Sequence, residues 1–367
     1  MEYRKSPRGE EKLSVIGLGS GSLGLASEEE IEIIIKEAIN NGINFFDLCA
    51  GNHKVYNPFG KAIKGIREKV HFQLHFGAVY KADGEYGWSR DLNKIKSTIK
   101  EELKLLNTDY IDYGFLHCID DFNDLADVKK NGIIDYLIEL KNKGVVKHLG
   151  FSSHTPSVTN KLLDLGIFDI IMFSINPAYD FEMGDEYGIG SLKERSELFS
   201  RCEKEGIAIS VMKPFNGGQL LNDSTSPFKH KLTKEQCIKY CLDRPGVIAV
   251  VPGVRSLNDL HELLHYENAT KEELDYSLIS GFTSISLLGK CVYCNHCEPC
   301  PKGIDIGLVN KYYDLTLVGD EIAYNHYLKL KVNASACIKC GHCNKRCPFK
   351  VDQVSRMIEI NKYFKNN

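Results

Sequence analysis

Eight short apolar runs punctuate the first three quarters of the chain, and amphipathic helical periods separate them. Leu13–Leu18, Ile43–Cys49, Val70–Phe76, Tyr110–Cys118, Val145–Phe151, Ile167–Ile175, Ile207–Met212 and Val247–Val254 read as buried parallel strands. A strand covered on both faces shows a continuous apolar run rather than an alternating one. Ile31, Ile34, Ile35, Ala38 and Ile39 fall on one helical face behind Ser27 and the acidic turn Glu28-Glu29-Glu30, which predicts a capped helix start. Leu92, Ile95, Ile99, Leu103 and Leu106 repeat that spacing. Gly42, Gly144, Gly166 and Gly206 stand just ahead of the next strand, where a left-handed residue ends a helix. The alternation predicts an α/β fold, a (β/α)8 TIM barrel over residues 1–288. A doubly wound open sheet is the alternative, but no G-x-G-x-x-G follows the first strand, and Gly17, Gly19, Gly21 and Gly24 fit a strand end equally well. Thr270–Leu288 reads as a last helix leading out of the barrel into a small second domain, residues 289–367.

Composition narrows the setting. A net charge of −3 provides no basic field for nucleic acid or anionic lipid. The opening MEYRKSPRGEEKLSVIG has no apolar leader core, and no later stretch approaches the roughly 18 unbroken apolar residues of a membrane span. A cytoplasmic protein with neither nucleic-acid nor membrane partners is expected. Cys49, Cys118, Cys202, Cys237 and Cys241 are scattered among apolar neighbours and read as reduced, partly buried thiols.

The other eight cysteines form two runs. Cys291, Cys294, Cys297 and Cys300 precede Pro301; Cys337, Cys340, Cys343 and Cys347 precede Pro348. Three thiolates spaced two residues apart seat three irons of a cubane, and the fourth Cys, ahead of a Pro, reaches the other cluster. Two [4Fe–4S] clusters are therefore predicted. The first run is one residue short before its last Cys, which leaves the exchange of fourth ligands open. Structural zinc is the competing reading, yet zinc needs two pairs, not two packed runs of four, and has no use for a Cys-Pro ending. Between Cys300 and Cys337 the patterning is helical, which predicts an α-helical ferredoxin-like module.

The C-terminal ends of barrel strands carry the chemistry of such folds. Here they present Asp47, His75, His117, Ser152-Ser153-His154, Asn176, Lys213 and Arg255. With FFDLCAG, FGKAIKG, NTDYIDYGFLH, KHLGFSSH, VMKPFNGG and VVPGVRSLNDLHE, the chain resembles the aldo-keto reductase family, in its branch with an appended ferredoxin domain. The resemblance implies carbonyl reduction with a nicotinamide cofactor, using a Tyr acid, a Lys, an Asp and a His. Asp47 and His117 match the last two. Asn52 stands at the Tyr position and His75 at the Lys position, so the usual proton relay is missing unless Tyr56 or His53 reaches in. Ser152 and Ser153 match the carboxamide-holding pair, and Met172 replaces a Gln. Lys213, Arg255, Ser256 and Glu262 match loops that grip phosphate and adenosine, and these would serve NAD(P) or flavin mononucleotide. His53, His75, His117 and Asp47 would also make a metal site, although no H-x-x-x-H pair is present. His71, His148, His261 and His265 read as structural or exposed.

Nicotinamide passes two electrons together, whereas a cluster takes one. The expected function is an oxidoreductase whose clusters feed or drain a barrel site acting on a small molecule. The alternative is an electron-transfer module for a partner redox protein, with a catalytically degenerate barrel. A third arrangement makes the cysteine module structural or sensing beside a nicotinamide reductase, with His75 and His117 as its proton pair.

Overall fold

The computed structural model describes residues 1–49, 53–80, 86–181, 187–282, 289–317 and 319–366. A hairpin, β1 (Tyr3–Lys5) and β2 (Lys12–Ser14), precedes the barrel. The barrel strands are β3 (Leu18–Gly19), β4 (Phe45–Leu48), β5 (His71–Phe76), β8 (Ile111–Leu116), β9 (Val146–Ser153), β10 (Ile170–Ser174), β11 (Ala208–Met212) and β12 (Val247–Val250). They pair in parallel in chain order, and bridges from Ile16 to Val250 and Gly19 to Gly253 close the ring. Seven of the eight predicted strands are present; the stretch Leu13–Leu18 is instead split between the antiparallel β2, which ends at Ser14, and the short barrel strand β3. At that closure a Cβ on Gly19 would lie 2.9 Å from the Val251 carbonyl oxygen. Gly17 is packed as closely, a Cβ there lying 2.9 Å from the Phe45 carbonyl oxygen, so these two glycines serve strand packing. A second hairpin, β6 (Ala78–Tyr80) and β7 (Tyr86–Trp88), is added after β5.

Helices α1 (Glu28–Asn40), α2 (Tyr56–Ala62), α3 (Leu92–Leu106), α4 (Phe122–Lys130), α5 (Ile133–Asn142), α6 (Pro156–Leu163), α7 (Pro177–Asp180), α8 (Leu192–Glu205), α9 (Lys234–Leu242) and α10 (Leu257–Leu264) connect the strands. The capping box at Ser27 and Glu30 forms as expected. Gly206 ends α8 at φ 64°, a backbone angle that favours glycine. The predicted helix Thr270–Leu288 does not form over its described part, which is a single turn followed by a 3-10 segment, Ser277–Phe282. Asp275 is the cause: its carboxylate accepts the Ser277 amide and also faces His296 at 2.6 Å, bonds that compete with a helical ladder.

Beyond the barrel, α11 (Ile306–Leu317), α12 (Glu321–Leu328), α13 (His342–Arg346) and α14 (Gln353–Asn366) give the tail its helical character. Among the described residues no helix is long and apolar enough to cross a membrane.

Three apolar cores form among the described residues. Leu13, Phe45, Tyr113, Phe115, Ile170 and Met172 belong to the core inside the barrel, and a larger layer lies between strands and helices. The tail has its own core around Ile304, Val309, Tyr313, Met357 and Ile360. Val292, Phe349 and Val351 join the barrel's outer layer instead, which ties the tail to the barrel.

The first hairpin covers the end where strands begin. Arg4 donates to the Leu242 and Val247 carbonyls at 3.0 and 2.7 Å. Nearby, His148 lies 3.2 Å from Glu11 and 3.4 Å from Asp169. Burial opposes the His148 charge, but the two carboxylates outweigh it and raise the group above its usual 6.5. Burial likewise opposes the charges of Glu11 and Asp169, and their partners outweigh it and lower both. A raised His contributes stability below its unfolded pKa and loses it as pH climbs through the folded value. Lowered carboxylates contribute above their unfolded values and lose it on acidification. The cluster should therefore stabilise most between about 4.5 and about 6.5. Melting temperature should decline above that window, and His148→Asn should flatten the alkaline limb. A native chain whose variant shows the same alkaline slope would refute the assignment.

Candidate active site and cysteine module

Register brings the polar strand-end residues together. Asp47 pairs across from Gln73, and His75 across from Phe115. Alternation then points Asp47, Gln73 and His75 to the inner side of the ring. The Asp47 carboxylate accepts from Gln73 Nε2 at 2.8 Å and lies 2.9 Å from His75 Nε2. Ser210 donates to Gln73 Oε1 at 3.1 Å, so the chain of contacts spans the barrel. On its other side, His75 Nδ1 lies 3.0 Å from His117 Nδ1, which is 3.8 Å from Cys49 Sγ. Donation from His75 Nε2 to the Asp47 carboxylate would leave a lone pair on Nδ1 facing His117. Burial, then the nearby His75 and Arg90, holds His117 well below the usual imidazole range, so it is neutral.

Asp47, His75 and His117 thus converge as the strand ends suggested. Asn52 lies outside the described residues, as does the His53 side chain. Tyr56 does not supply the missing phenol: it is buried and donates to the Leu48 carbonyl at 2.9 Å, away from the histidine pair. Sequence reasoning missed Cys49, Gln73 and Ser210. A lone amide within the apolar run of β5 was the available signal for Gln73.

The cofactor residues are more dispersed. Ser152 Oγ accepts from the Cys118 amide at 2.8 Å, and Ser153 Oγ bonds Asp120 at 3.2 Å. Asp120 also takes His154 Nδ1 at 2.9 Å. Burial works against the Asp120 charge, but His154 outweighs it and lowers the carboxyl to about 2. Lys213 has φ 57° and lies over the Tyr187 ring, while its carbonyl accepts from Asn176. Arg255 is 70% exposed, with Asp259 3.2 Å away. Ser256 caps α10 by accepting from the Asp259 amide. Glu262 bonds Lys234 at 2.6 Å and Asn258 at 2.7 Å. The histidines read as structural lie elsewhere: His71 and His148 sit at strand starts beside carboxylates, and His261 and His265 are mostly exposed.

In the tail, both cysteine runs adopt the same backbone. Tyr293 and Asn295 have φ 63° and 57°; Lys339 and Gly341, at the matching places of the second run, have 57° and 72°. Left-handed residues at alternate positions turn successive amides toward one side, the nest arrangement that suits anions. Burial first, then the neighbouring Cys291 and Cys347, raises the Cys294 thiol to about 12, and Cys297 feels Cys291, Cys294 and Cys347. Cys300 instead lines a cavity with Cys337, Cys340 and Cys343. Each group therefore holds three cysteines of one run and the last of the other. Cys291, Cys294 and Cys347 pack against the barrel's layer, whereas Cys297, Cys300, Cys337 and Cys343 join the tail's core. Among the described residues, no three of these eight sulfurs lie within 4.8 Å of one another.

A buried polar seam joins tail and barrel. Arg244 donates to the Val292 carbonyl at 2.6 Å and lies over the Tyr240 ring. Tyr276 bonds Asp243 at 2.8 Å, and Tyr240 bonds Asp180, which pairs with Arg195 at 2.7 Å. Phe349 stacks on Phe181.

A closed parallel barrel with its polar cluster at the strand ends defines a TIM-barrel protein with a site at the usual face. Residues 15–236 match the model of the Aldo/keto reductase family, and the chain belongs to that family, as an oxidoreductase of its type. It is 27% identical over 300 residues to an uncharacterized oxidoreductase, YqkF, of Bacillus subtilis, covering 75% of this chain and 94% of that one. L-galactose dehydrogenase of Arabidopsis thaliana is 27% identical over 234 residues, 61% of this chain and 68% of the plant enzyme. An aldo-keto reductase from Bacillus halodurans in its holo form has a TM-score of 0.63 at 24% identity, covering 77% of this chain and 97% of that structure. Another, from Klebsiella pneumoniae in complex with NADP and acetate, has a TM-score of 0.55 at 17% identity, covering 74% and 93%. At these identities the structures establish the shared barrel.

Proposed function

We propose that this chain is an iron–sulfur oxidoreductase, in which two [4Fe–4S] clusters exchange electrons with a nicotinamide or flavin site at the barrel mouth. The grouping of the cysteines carries this reading. A single zinc with four Zn–S bonds of about 2.3 Å would draw its sulfurs to about 3.8 Å apart. The sulfurs here are spread wider than any such trio, and a cubane, whose thiolates bind different irons, needs that wider spacing. Cys291, Cys294, Cys297 and Cys347 would hold one cluster, and Cys300, Cys337, Cys340 and Cys343 the other. When bound, the clusters supply one-electron transfer. The chain's own part is to seat and tune them: amides at Tyr293 and His296 bond the Cys291 and Cys294 sulfurs, and Gln353 Nε2 lies 3.6 Å from Cys291.

The two groups occupy unequal places, which suggests an order of transfer. The first lies against the barrel; the second includes exposed Cys340 beside Ile338, which is 56% exposed. A redox partner protein would meet the second group. At the mouth, family membership and the NADP held by the Klebsiella structure favour a nicotinamide. Lys213 and Arg255 follow β11 and β12 as phosphate-binding cations, and Ser152 and Ser153 would trade their present partners for the carboxamide. Asp47, His75 and His117 form the polar end of the site, where the family's Tyr and Lys are replaced in sequence by Asn52 and His75.

Protein purified without oxygen tests this. About eight irons per chain, with a visible absorbance that bleaches on reduction, is expected. Colourless protein carrying zinc and almost no iron would overturn the proposal. Bound yellow flavin, or tight NADPH binding, identifies the carrier at the mouth. Absence of both, with iron present, would favour the pure electron-transfer role.

A further inference from the structure

The mouth contains a second kind of metal geometry, and it does not involve the tail. Cys49 Sγ and one ring nitrogen each from His75 and His117 lie mutually within 4.8 Å. The facing nitrogens are both Nδ1, at 3.0 Å, with the sulfur 3.8 Å from His117 Nδ1. Tetrahedral zinc, with bonds of about 2.0–2.1 Å to nitrogen and about 2.3 Å to sulfur, sets edges of about 3.3 Å between nitrogens and about 3.6 Å from nitrogen to sulfur. Two of the three edges are already close to those values, and the third, between Cys49 Sγ and His75, lies within 4.8 Å.

We propose that Cys49, His75 and His117 bind a divalent cation of the zinc class, leaving a fourth position for water or the oxygen of a small carbonyl or alcohol.

The residues behind the trio support this. His75 turns its Nε2 to Asp47 at 2.9 Å, the carboxylate–histidine support that fixes a metal-binding tautomer. Gln73 and Ser210 hold Asp47 in turn. Asp47 is thus a positioning residue and not a ligand, in contrast to the three-histidine-plus-Asp set that the strand ends suggested. Hydrogen bonds centred on His117 Nδ1 account for two of the contacts; a shared cation would draw the third pair, Cys49 and His75, together as well. Mixed nitrogen and sulfur donors suit zinc better than magnesium or calcium. Such an ion would supply the electrophile that Asn52 and His75 cannot, and three protein ligands with one open position is the usual form of a catalytic zinc.

The site stands whether or not the tail carries iron, and one experiment keeps the two apart. The full chain, purified without oxygen, is equilibrated with zinc, desalted, and measured for zinc and iron separately, with X-ray absorption at the zinc edge. About one retained zinc with two nitrogens and one sulfur in its protein shell is expected. Cys49→Ser should replace the sulfur by oxygen and lower retention at least tenfold. His117→Ala should abolish it, with iron unchanged in both variants. Zinc at background, a shell of sulfurs only, or the native zinc shell persisting in Cys49→Ser would overturn the site. Should His117→Ala fail to fold, the conservative Cys49→Ser decides alone.

Discussion

On the proposed function, removing Cys297 and Cys347 together should cost about half of the bound iron, while removing Cys343 and Cys347 should cost nearly all of it. Sequence proximity predicts the opposite, since Cys343 and Cys347 belong to one run. The structure groups Cys347 with the first run and Cys300 with the second. Residues serving one cluster act as a unit, so a second loss at the same cluster adds little, whereas losses at different clusters add. Iron content of Cys297→Ala, Cys343→Ala and Cys347→Ala, alone and in these pairs, is the measurement. Ordinary run-by-run behaviour would refute the exchange of fourth ligands. Melting temperature should fall with iron, because metal held only by the folded chain stabilises it.

The next largest effect is expected at Arg244. Its guanidinium is buried, donates to the Val292 carbonyl, and lies near Asp180 and Asp243. Asp180 keeps Arg195 and Asp243 keeps Lys239, so truncation leaves the buried Val292 carbonyl without its charged donor and removes the packing on the Tyr240 ring, a loss of about 2–3 kcal/mol. Arg244→Ala should destabilise the chain by that order in denaturant unfolding. Because Val292 sits between two cysteines of the first group, iron should also be lost more readily to a chelator. Arg244→Lys should recover little, since one ammonium cannot reach the Tyr240 ring and the carbonyl with the same planar fork. A loss under about 1 kcal/mol for Arg244→Ala would show that water replaces the guanidinium there.

Much of the barrel could be read from periodicity because each strand is buried on both faces and announces itself as an apolar run. The helix predicted at Thr270–Leu288 failed for a local reason, the Asp275 side chain, which periodicity does not register. At the mouth, Asp47, His75 and His117 were legible from their strand-end places. Cys49 was not, because a thiol among apolar neighbours looks like packing until two imidazoles are found facing it. Arg244 was invisible for a similar reason. A charged residue after a helix usually reads as surface, and only tertiary packing shows it between two bodies. The exchange of cysteines was left open by a missing residue in the first run, and the fold brings the fourth thiols across regardless.

The hairpin beneath the strands has a consequence for traffic. Arg4 ties the hairpin across that end, while the polar cluster of Asp47, His75 and His117 stands at the opposite one. The tail joins the flank, at α9 and the residues after α7, where Val292 and Phe349 merge with the outer layer. On the proposed function, fuel and current would use separate doors, reactants entering at the mouth and electrons arriving through the wall.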